Sequence, residues 1–292
     1  MRILVRRLGA LGDVVLTTPI IRRLRLENPE ADIAVQTAYP DVFRNSPHRV
    51  WLLPQGNLPY PWTAEGGLDR EIDFTLAYEQ SPGEHIVCAY MRAAFGDPGK
   101  PEDRCQELFP ETAGLNRLAS AFSGGRVVAV HAARAGWRNR TLPEQTWLDV
   151  VDGLHREGLF PMMVGTGRDA LPKAKAAAFH STDVLAQAAV IACCACFVGS
   201  DSGLLHVAGA TNVPIVSVFT CASPAVRMPW RNGVLGDGCT AVLPEGLDCL
   251  GCLARAPVPS TSESCERGDT ACVRAVRPDV VVAAVVRAVR DR

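Results

Sequence analysis

Apolar positions in the first third of the chain recur in two rhythms. Residues 2–8 (RILVRRL) read as a short strand, and Gly9 and Gly12 mark the turn that closes it. Val14, Val15, Leu16, Ile20, Ile21 and Leu24 then repeat at helical spacing, with Pro19 inside the pattern either kinking the helix or opening its next segment. Residues 31–38 (ADIAVQTA) form a second strand candidate, HRVWLLP a weaker third and residues 71–79 (EIDFTLAYE) another. Residues 84–96 (EHIVCAYMRAAFG) return to helical periodicity. Strand, helix, strand in this order predicts an α/β unit on a mostly parallel sheet.

The pattern restarts after a stretch of small residues, LASAFSGG at 118–125. A domain boundary is therefore expected near 112–125, dividing the chain into units 1–120 and 121–292. The second unit reads as strand RVVAVHA, helix PEQTWLDVVDGLHREG, strand FPMMVG, a glycine turn, helix KAKAAAF and a further helix from Val184. CFVGSD is a strand end, GLLHVAGA a short helix, PIVSVFT a strand and PDVVVAAVVRAV a closing helix. Two α/β units joined in this way imply a cleft, with ligands at the carboxyl ends of the strands.

Composition narrows the picture. The 292 residues carry 30 basic and 31 acidic side chains, 48% hydrophobic and 21% charged, which fits a folded chain with a real core. A net charge of -1 gives no electrostatic case for nucleic acid. Asp13, Arg22 and Arg23 interrupt the apolar N-terminal run, which argues against a signal peptide, and no run has the roughly 20 residues of a membrane helix. The expected location is the cytoplasm, with Arg2, Arg6, Arg7, Arg22, Arg23 and Arg25 leaving room for peripheral contact with an inner membrane.

Four segments carry candidate chemistry. In Gly9-Ala10-Leu11-Gly12-Asp13 two glycines between strand and helix let backbone approach a ligand, but the spacing is not the dinucleotide fingerprint. Asp13 is either a helix cap or a catalytic carboxylate. Gly199-Ser200-Asp201-Ser202-Gly203-Leu204-Leu205-His206 leaves a strand and opens a helix, directing N–H groups toward the crevice, as suits a phosphate. HAARAGWRNRTLPEQTW places Arg134, Arg138 and Arg140 just past a strand end beside His131, either as solvated surface or as diphosphate ligands.

Cysteine is the fourth signal. Cys193, Cys194 and Cys196 lie in the apolar run ACCACFVG and read as core thiols. Cys249, Cys252, Cys265 and Cys272 lie among Gly, Pro, Ser and charged residues with metal-ligand spacing, so they are expected to hold a structural zinc or iron, the alternative being free or disulfide-linked cysteines. The odd total of 11 argues against a secreted disulfide framework.

Together, RILVRRLGALGDVVLTTPIIRRLR, HAARAGWRNRTLPEQTW and FVGSDSGLLHVAGATNVPIVSVFTCASP resemble the motifs of glycosyltransferase family 9, the heptosyltransferase family that uses ADP-heptose. YEQSPGEHIVCAYMRAAFG is similar to a segment of some relatives. The resemblance implies a GT-B fold, two Rossmann-like α/β/α domains facing across a cleft, with the acceptor on the first and the nucleotide-sugar on the second. It implies inversion at the anomeric carbon, an ADP-sugar donor and no catalytic metal.

Carried onto this chain, the family base falls at Asp13, and the donor contacts fall at Gly12, Arg140, Asp201, Ser202, Gly203 and His206. Arg140 stands where the family usually has lysine, and Ser202 where it has threonine. The cysteine finger resembles one in protein-modifying, iron-binding heptosyltransferases. The implied acceptor is a lipopolysaccharide core sugar, with a protein hydroxyl as the enzymatic alternative. The non-enzymatic alternative is a silent nucleotide-sugar-binding or assembly protein.

Overall fold

A computed structural model describes residues 1–64, 67–111, 122, 124, 126–133, 137–254, 265 and 267–291. The expected boundary stretch at 112–125 falls almost wholly outside them, as does Arg134.

The first unit is built from β1 (Arg2–Arg6), α1 (Leu11–Val15), α2 (Thr18–Glu27), β2 (Asp32–Gln36), β3 (Val50–Leu53), β4 (Arg70–Asp73) and α3 (Ile86–Phe95). Its four strands are parallel, in the order β3-β2-β1-β4. The helical pattern after β1 is two helices, with Pro19 in the first turn of the second. Between them the Thr17 and Thr18 hydroxyls donate back to the carbonyls of Val14 and Val15 at 2.8 Å, replacing helix bonds with local ones. The strand expected over 71–79 stops at Asp73, whose carboxylate accepts the Thr75 N–H at 2.8 Å and starts a turn.

The second unit holds β5 (Val127–His131), α4 (Glu144–Arg156), β6 (Phe160–Gly165), β7 (Ala177–His180), α5 (Val184–Cys193), β8 (Cys196–Ser200), α6 (Gly203–Gly209), β9 (Ile215–Val218) and α7 (Pro224–Arg227). A hairpin, β10 (Trp230–Arg231) and β11 (Val234–Leu235), leads to β12 (Cys239–Val242), α8 (Ala271–Arg274) and α9 (Pro278–Arg290). The six-stranded sheet is parallel throughout, ordered β12-β9-β8-β5-β6-β7. The expected helix KAKAAAF is corrected: residues 177–180 are β7, paired with β6 in the register Met162↔Ala177. Alanine favours helix intrinsically, but the open edge of β6 takes up the backbone groups, and tertiary pairing overrides propensity.

One buried apolar cluster runs unbroken from Ile3, Val5 and Leu16 in the first unit to Phe197, Leu205 and Phe219 in the second. A second cluster seats α9 on α4 and the outer face of the larger sheet through Val281, Val285, Trp147 and Leu154. Cys194 and Cys196 are fully buried, as expected of core thiols, while Cys193 is half-buried. No described helix is long and apolar enough to cross a membrane.

Four of the N-terminal arginines are engaged within the fold. Arg6 pairs with Glu71, Arg22 with Glu107, and Arg23 with Asp97 and Glu27, while Arg25 donates to the carbonyls of His48, Pro29, Ala31 and Arg49. Arginine's forked donors reach several acceptors at once, which commits these cations to the fold.

Candidate active site

In each sheet the strand order reverses beside its first strand, and such switch points open crevices at the carboxyl ends of the strands. Here the turn after β1 faces the turn after β8. The approach is as close as backbone allows. A Cβ on Gly12 would stand 2.6 Å from Cδ2 of His206 and 3.2 Å from Cα of Gly203, and one on Gly203 would stand 3.1 Å from Cβ of Leu11. Gly12, expected to admit a ligand, also admits the close approach of Gly203 and His206 from the second unit.

Asp13 sits in the first turn of α1 and is 8% exposed. Its two oxygens have different surroundings. Oδ2 accepts from Nη2 of Arg7 at 2.5 Å and from the Ala10 N–H at 3.3 Å, so this oxygen is both ion-paired and capping. Oδ1 lies 4.0 Å from Nη1 of Arg227, and both residues line a cavity of about 230 Å³. Arg7 is itself fixed by the Phe74 and Thr75 carbonyls at 2.7 Å each, with Glu79 3.8 Å away. Burial pushes the Glu79 carboxyl above the usual range, against the pull of Arg7.

The same cavity gathers Arg140, Asp201, Ser202, Gly203 and His206 from the second unit. Arg140 donates to Oδ2 of Asp201 at 3.0 Å and lies over the Trp137 ring, 4.1 Å from its centroid. Burial disfavours the Asp201 anion, but Arg140 and Arg227 outweigh that cost and hold its pKa below the ordinary value. Burial lowers His206 to about 4, so it is neutral at pH 7. Ser202 precedes α6 without capping it, since its hydroxyl meets Nδ1 of His131 at 3.0 Å. The first N–H groups of α6 have no helix carbonyl to bond, so they remain donors at the cleft. Every residue expected at the catalytic and donor positions thus lines one space.

A second cavity of about 340 Å³ adjoins this one at Ala10, Ser202 and Gly203, and extends along Thr166, Asp169, Ser181, Val184 and Leu204. Asp169 accepts from the Thr166 N–H at 2.8 Å and stands 3.7 Å from Nε2 of His131. Burial opposes its ionisation, yet the His131 and Thr166 contacts keep its pKa far below the carboxylate range. A larger groove, about 770 Å³ between α4 and α9, lies apart from these groups. Sequence reasoning missed Arg7, Tyr78, Asp169 and Arg227 as site residues. Asp169 carried a signal, an acid in the glycine turn after the second strand of a Rossmann-like unit. Arg227 carried none, because no glycine or strand end marks it and its partners, Tyr78 and Asp13 from the first unit and Asp201 from the second, meet only in the fold.

The four cysteines need a correction of place. Among the described residues no group of three or more His, Cys, Asp or Glu stands close enough to hold a metal, so a closed tetrahedral set at Cys249, Cys252, Cys265 and Cys272 is not shown. The thiols are still electrostatic neighbours: burial first, then Cys265, Cys249 and Cys252, push Cys272 up. The loop is not remote from the site. Sγ of Cys272 lies 4.0 Å from the Asn139 carbonyl, which also accepts from the Thr220 hydroxyl at 2.6 Å, one residue before Arg140. Gly251 and Leu253 donate to the carbonyls of Thr220 and Cys221.

Two facing Rossmann-like sheets with their polar groups at opposed switch points define a two-domain ligand-binding fold, and comparison with known proteins specifies it. Residues 73–236 match the family model for glycosyltransferase family 9 (heptosyltransferase), and the chain belongs to that family. The chain is similar in structure to a glycosyl transferase family 9 protein from Veillonella parvula DSM 2008, with TM-score 0.70 and 14% identity over 100% of this chain and 98% of that one. It is similar to the E. coli ADP-heptose lipopolysaccharide heptosyltransferase II, with TM-score 0.69 and 17% identity over 100% and 99%. The iron-containing dodecameric glycosyltransferase TibC from enterotoxigenic E. coli H10407 aligns with TM-score 0.72 and 14% identity over 99% of this chain and 76% of that one. No curated protein matches the sequence. The fold is GT-B, and the protein is a glycosyltransferase of the heptosyltransferase family.

Proposed function

We propose that this protein transfers a heptose or closely related sugar from an ADP-sugar to a hydroxyl acceptor with inversion. The observation that carries the reading is the pair of adjoining cavities. One is flanked by apolar groups and the Asp169 carboxylate, which suits a nucleoside with ribose hydroxyls. The other holds two guanidinium groups, α6 N–H donors and the open oxygen of Asp13, which suits a diphosphate bonded to a sugar. In the reaction the acceptor hydroxyl gives its proton to Oδ1 of Asp13 while its oxygen lone pair forms the bond to the anomeric carbon. The bond from that carbon to the diphosphate oxygen breaks, and its electron pair leaves with ADP. Arg140 and the donors at Ser202 and Gly203 meet the charge that develops there, the kind of preorganised contact that supplies much of an enzyme's rate.

A lipopolysaccharide core sugar is the first acceptor in this reading, in line with the lipopolysaccharide named for the E. coli heptosyltransferase II that shares this fold. The C-terminal cysteine finger, by its resemblance to that of protein-modifying heptosyltransferases, makes a protein hydroxyl the second reading. The four thiols of that loop are, in this proposal, a structural metal set whose chemistry is to brace the Arg140 segment, taking no part in the transfer. The test is incubation with ADP- and UDP-sugars, with and without acceptor fractions, scored by mass spectrometry. Acceptor-dependent ADP release from ADP-heptose is expected, and absence of nucleoside diphosphate release from every donor would leave a binding protein.

A further inference from the structure

We propose that Arg227 is a second cation for the terminal phosphate of the donor, and that it reaches that phosphate by leaving Asp13. The inference rests on the donor reading above but adds a residue that no motif singled out. Arg227 ends α7, just beyond the carboxyl end of β9, and its side chain is 8% exposed. It borders the cavity that also holds Arg140, Ser202, Gly203 and His206.

The other charged groups there are already matched at short range: Asp13 with Arg7 at 2.5 Å and Asp201 with Arg140 at 3.0 Å. Among the described residues lining this cavity, Arg227 is the cation with no carboxylate at hydrogen-bond distance; it is held instead by Tyr78 and by the charge of Asp201. Its nearest carboxylate oxygen, Oδ1 of Asp13, is 4.0 Å away, beyond hydrogen-bond reach. A buried guanidinium is costly unless its donors are used, and a phosphate offers the bidentate oxygens that suit its fork.

The frame around the side chain is firm. The Tyr78 ring lies 4.9 Å from the guanidinium carbon, and Nε2 of His85 donates to the Met228 carbonyl at 2.9 Å, tying the end of α7 to the first unit. The position also selects which phosphate is met. The nucleoside-sized cavity lies on the far side of Ser202 and Gly203, whereas Arg227 shares its side with Asp13, where the bond to sugar would break. Once Arg227 turns to that phosphate, Oδ1 of Asp13 is open to the acceptor hydroxyl, so donor binding precedes acceptor activation.

Calorimetry with ADP and AMP on the parent, Arg227→Met and Arg227→Lys tests this, because AMP lacks the phosphate in question. Arg227→Met is expected to weaken ADP binding at least tenfold with AMP affinity within about twofold of the parent, the level a lost charge-assisted contact implies. Arg227→Lys, which keeps the charge without the fork, is expected to fall between. AMP binding doubles as the folding control, and if Arg227→Met binds neither nucleotide the lysine variant decides. An ADP-to-AMP affinity ratio equal to the parent's in the variant that still binds AMP would overturn the Arg227 assignment alone. A parent that binds neither nucleotide would overturn the donor reading with it.

Discussion

Replacing Asp13 with asparagine separates a catalytic carboxylate from a structural one, provided the right quantity is read. Stability does not discriminate. The substitution removes the charge opposite Arg7 in a pair that is 7% and 12% exposed, and breaking such a pair costs about 3–5 kcal/mol when nothing compensates. Here Arg7 keeps two carbonyl acceptors at 2.7 Å and Glu79 at 3.8 Å, and asparagine still offers an acceptor oxygen. A loss of about 1–3 kcal/mol is therefore expected whether or not Asp13 is the base. Rate does discriminate. Oδ1 is the oxygen free of Arg7, and an amide in its place cannot take the acceptor's proton. Single-turnover rate under saturating donor, measured well below the melting temperature, is expected to fall about 10²- to 10⁴-fold, or about 3–5 kcal/mol of barrier. ADP affinity is expected to hold, because the donor contacts come from the second unit and Arg227 loses a competitor. Turnover within about threefold of the parent, or an equal loss in ADP binding, would refute the assignment.

Three further outcomes follow from the same geometry. Burial holds His85 near 3 and His206 near 4, against 6.5 when unfolded, so below 6.5 the unfolded chain binds protons that the fold refuses. Their stabilisation is intact above that value and is lost as pH falls, by about 2 kcal/mol for each at pH 5, so melting temperature should drop between pH 7.5 and 5 and His85→Gln should flatten the slope. Gly12→Ala should cost about 1–3 kcal/mol by overpacking against His206 and the Gly203 backbone, with activity falling too; an unchanged melting temperature would refute the close approach. Protein purified without added metal should carry about one equivalent of zinc or iron, and chelation should lower melting temperature and ADP affinity together, because Cys272 backs Asn139 beside Arg140. Less than about a tenth of an equivalent would remove the metal from the account.

What the sequence reveals follows the range of the forces involved. Strands β1, β5, β8 and β9 are short, mostly buried and mostly apolar runs between turn residues, and such local patterns are readable. Residues 173–180 were misread because KAKAAAF has helical propensity while the deciding partner, the edge of β6, is supplied by tertiary structure. At the site, Asp13, Arg140 and the residues around Ser202 stand next to glycines or strand ends that advertise them. Tyr78 and Arg227 announce nothing, since they meet each other only across 149 residues and their other partners come together only in the folded cleft.

The dominance of arginine among the basic residues, with lysine only at positions 100, 173 and 175, acquires a structural meaning in the fold. Arg231 is buried and donates to three carbonyls, those of Gly209, Val213 and Ala208. Arg7 spans two carbonyls and a carboxylate, and Arg25 reaches across a whole helix end. A lysine has three donors on one atom and cannot bridge acceptors that lie several ångströms apart. The same property bears on position 140. There a guanidinium can hold Asp201 through Nη1, lie flat on Trp137 and still keep donors for a ligand, whereas an ammonium would have to choose among them. Arginine at this position is thus suited to a site in which the donor cation must be anchored and available at once.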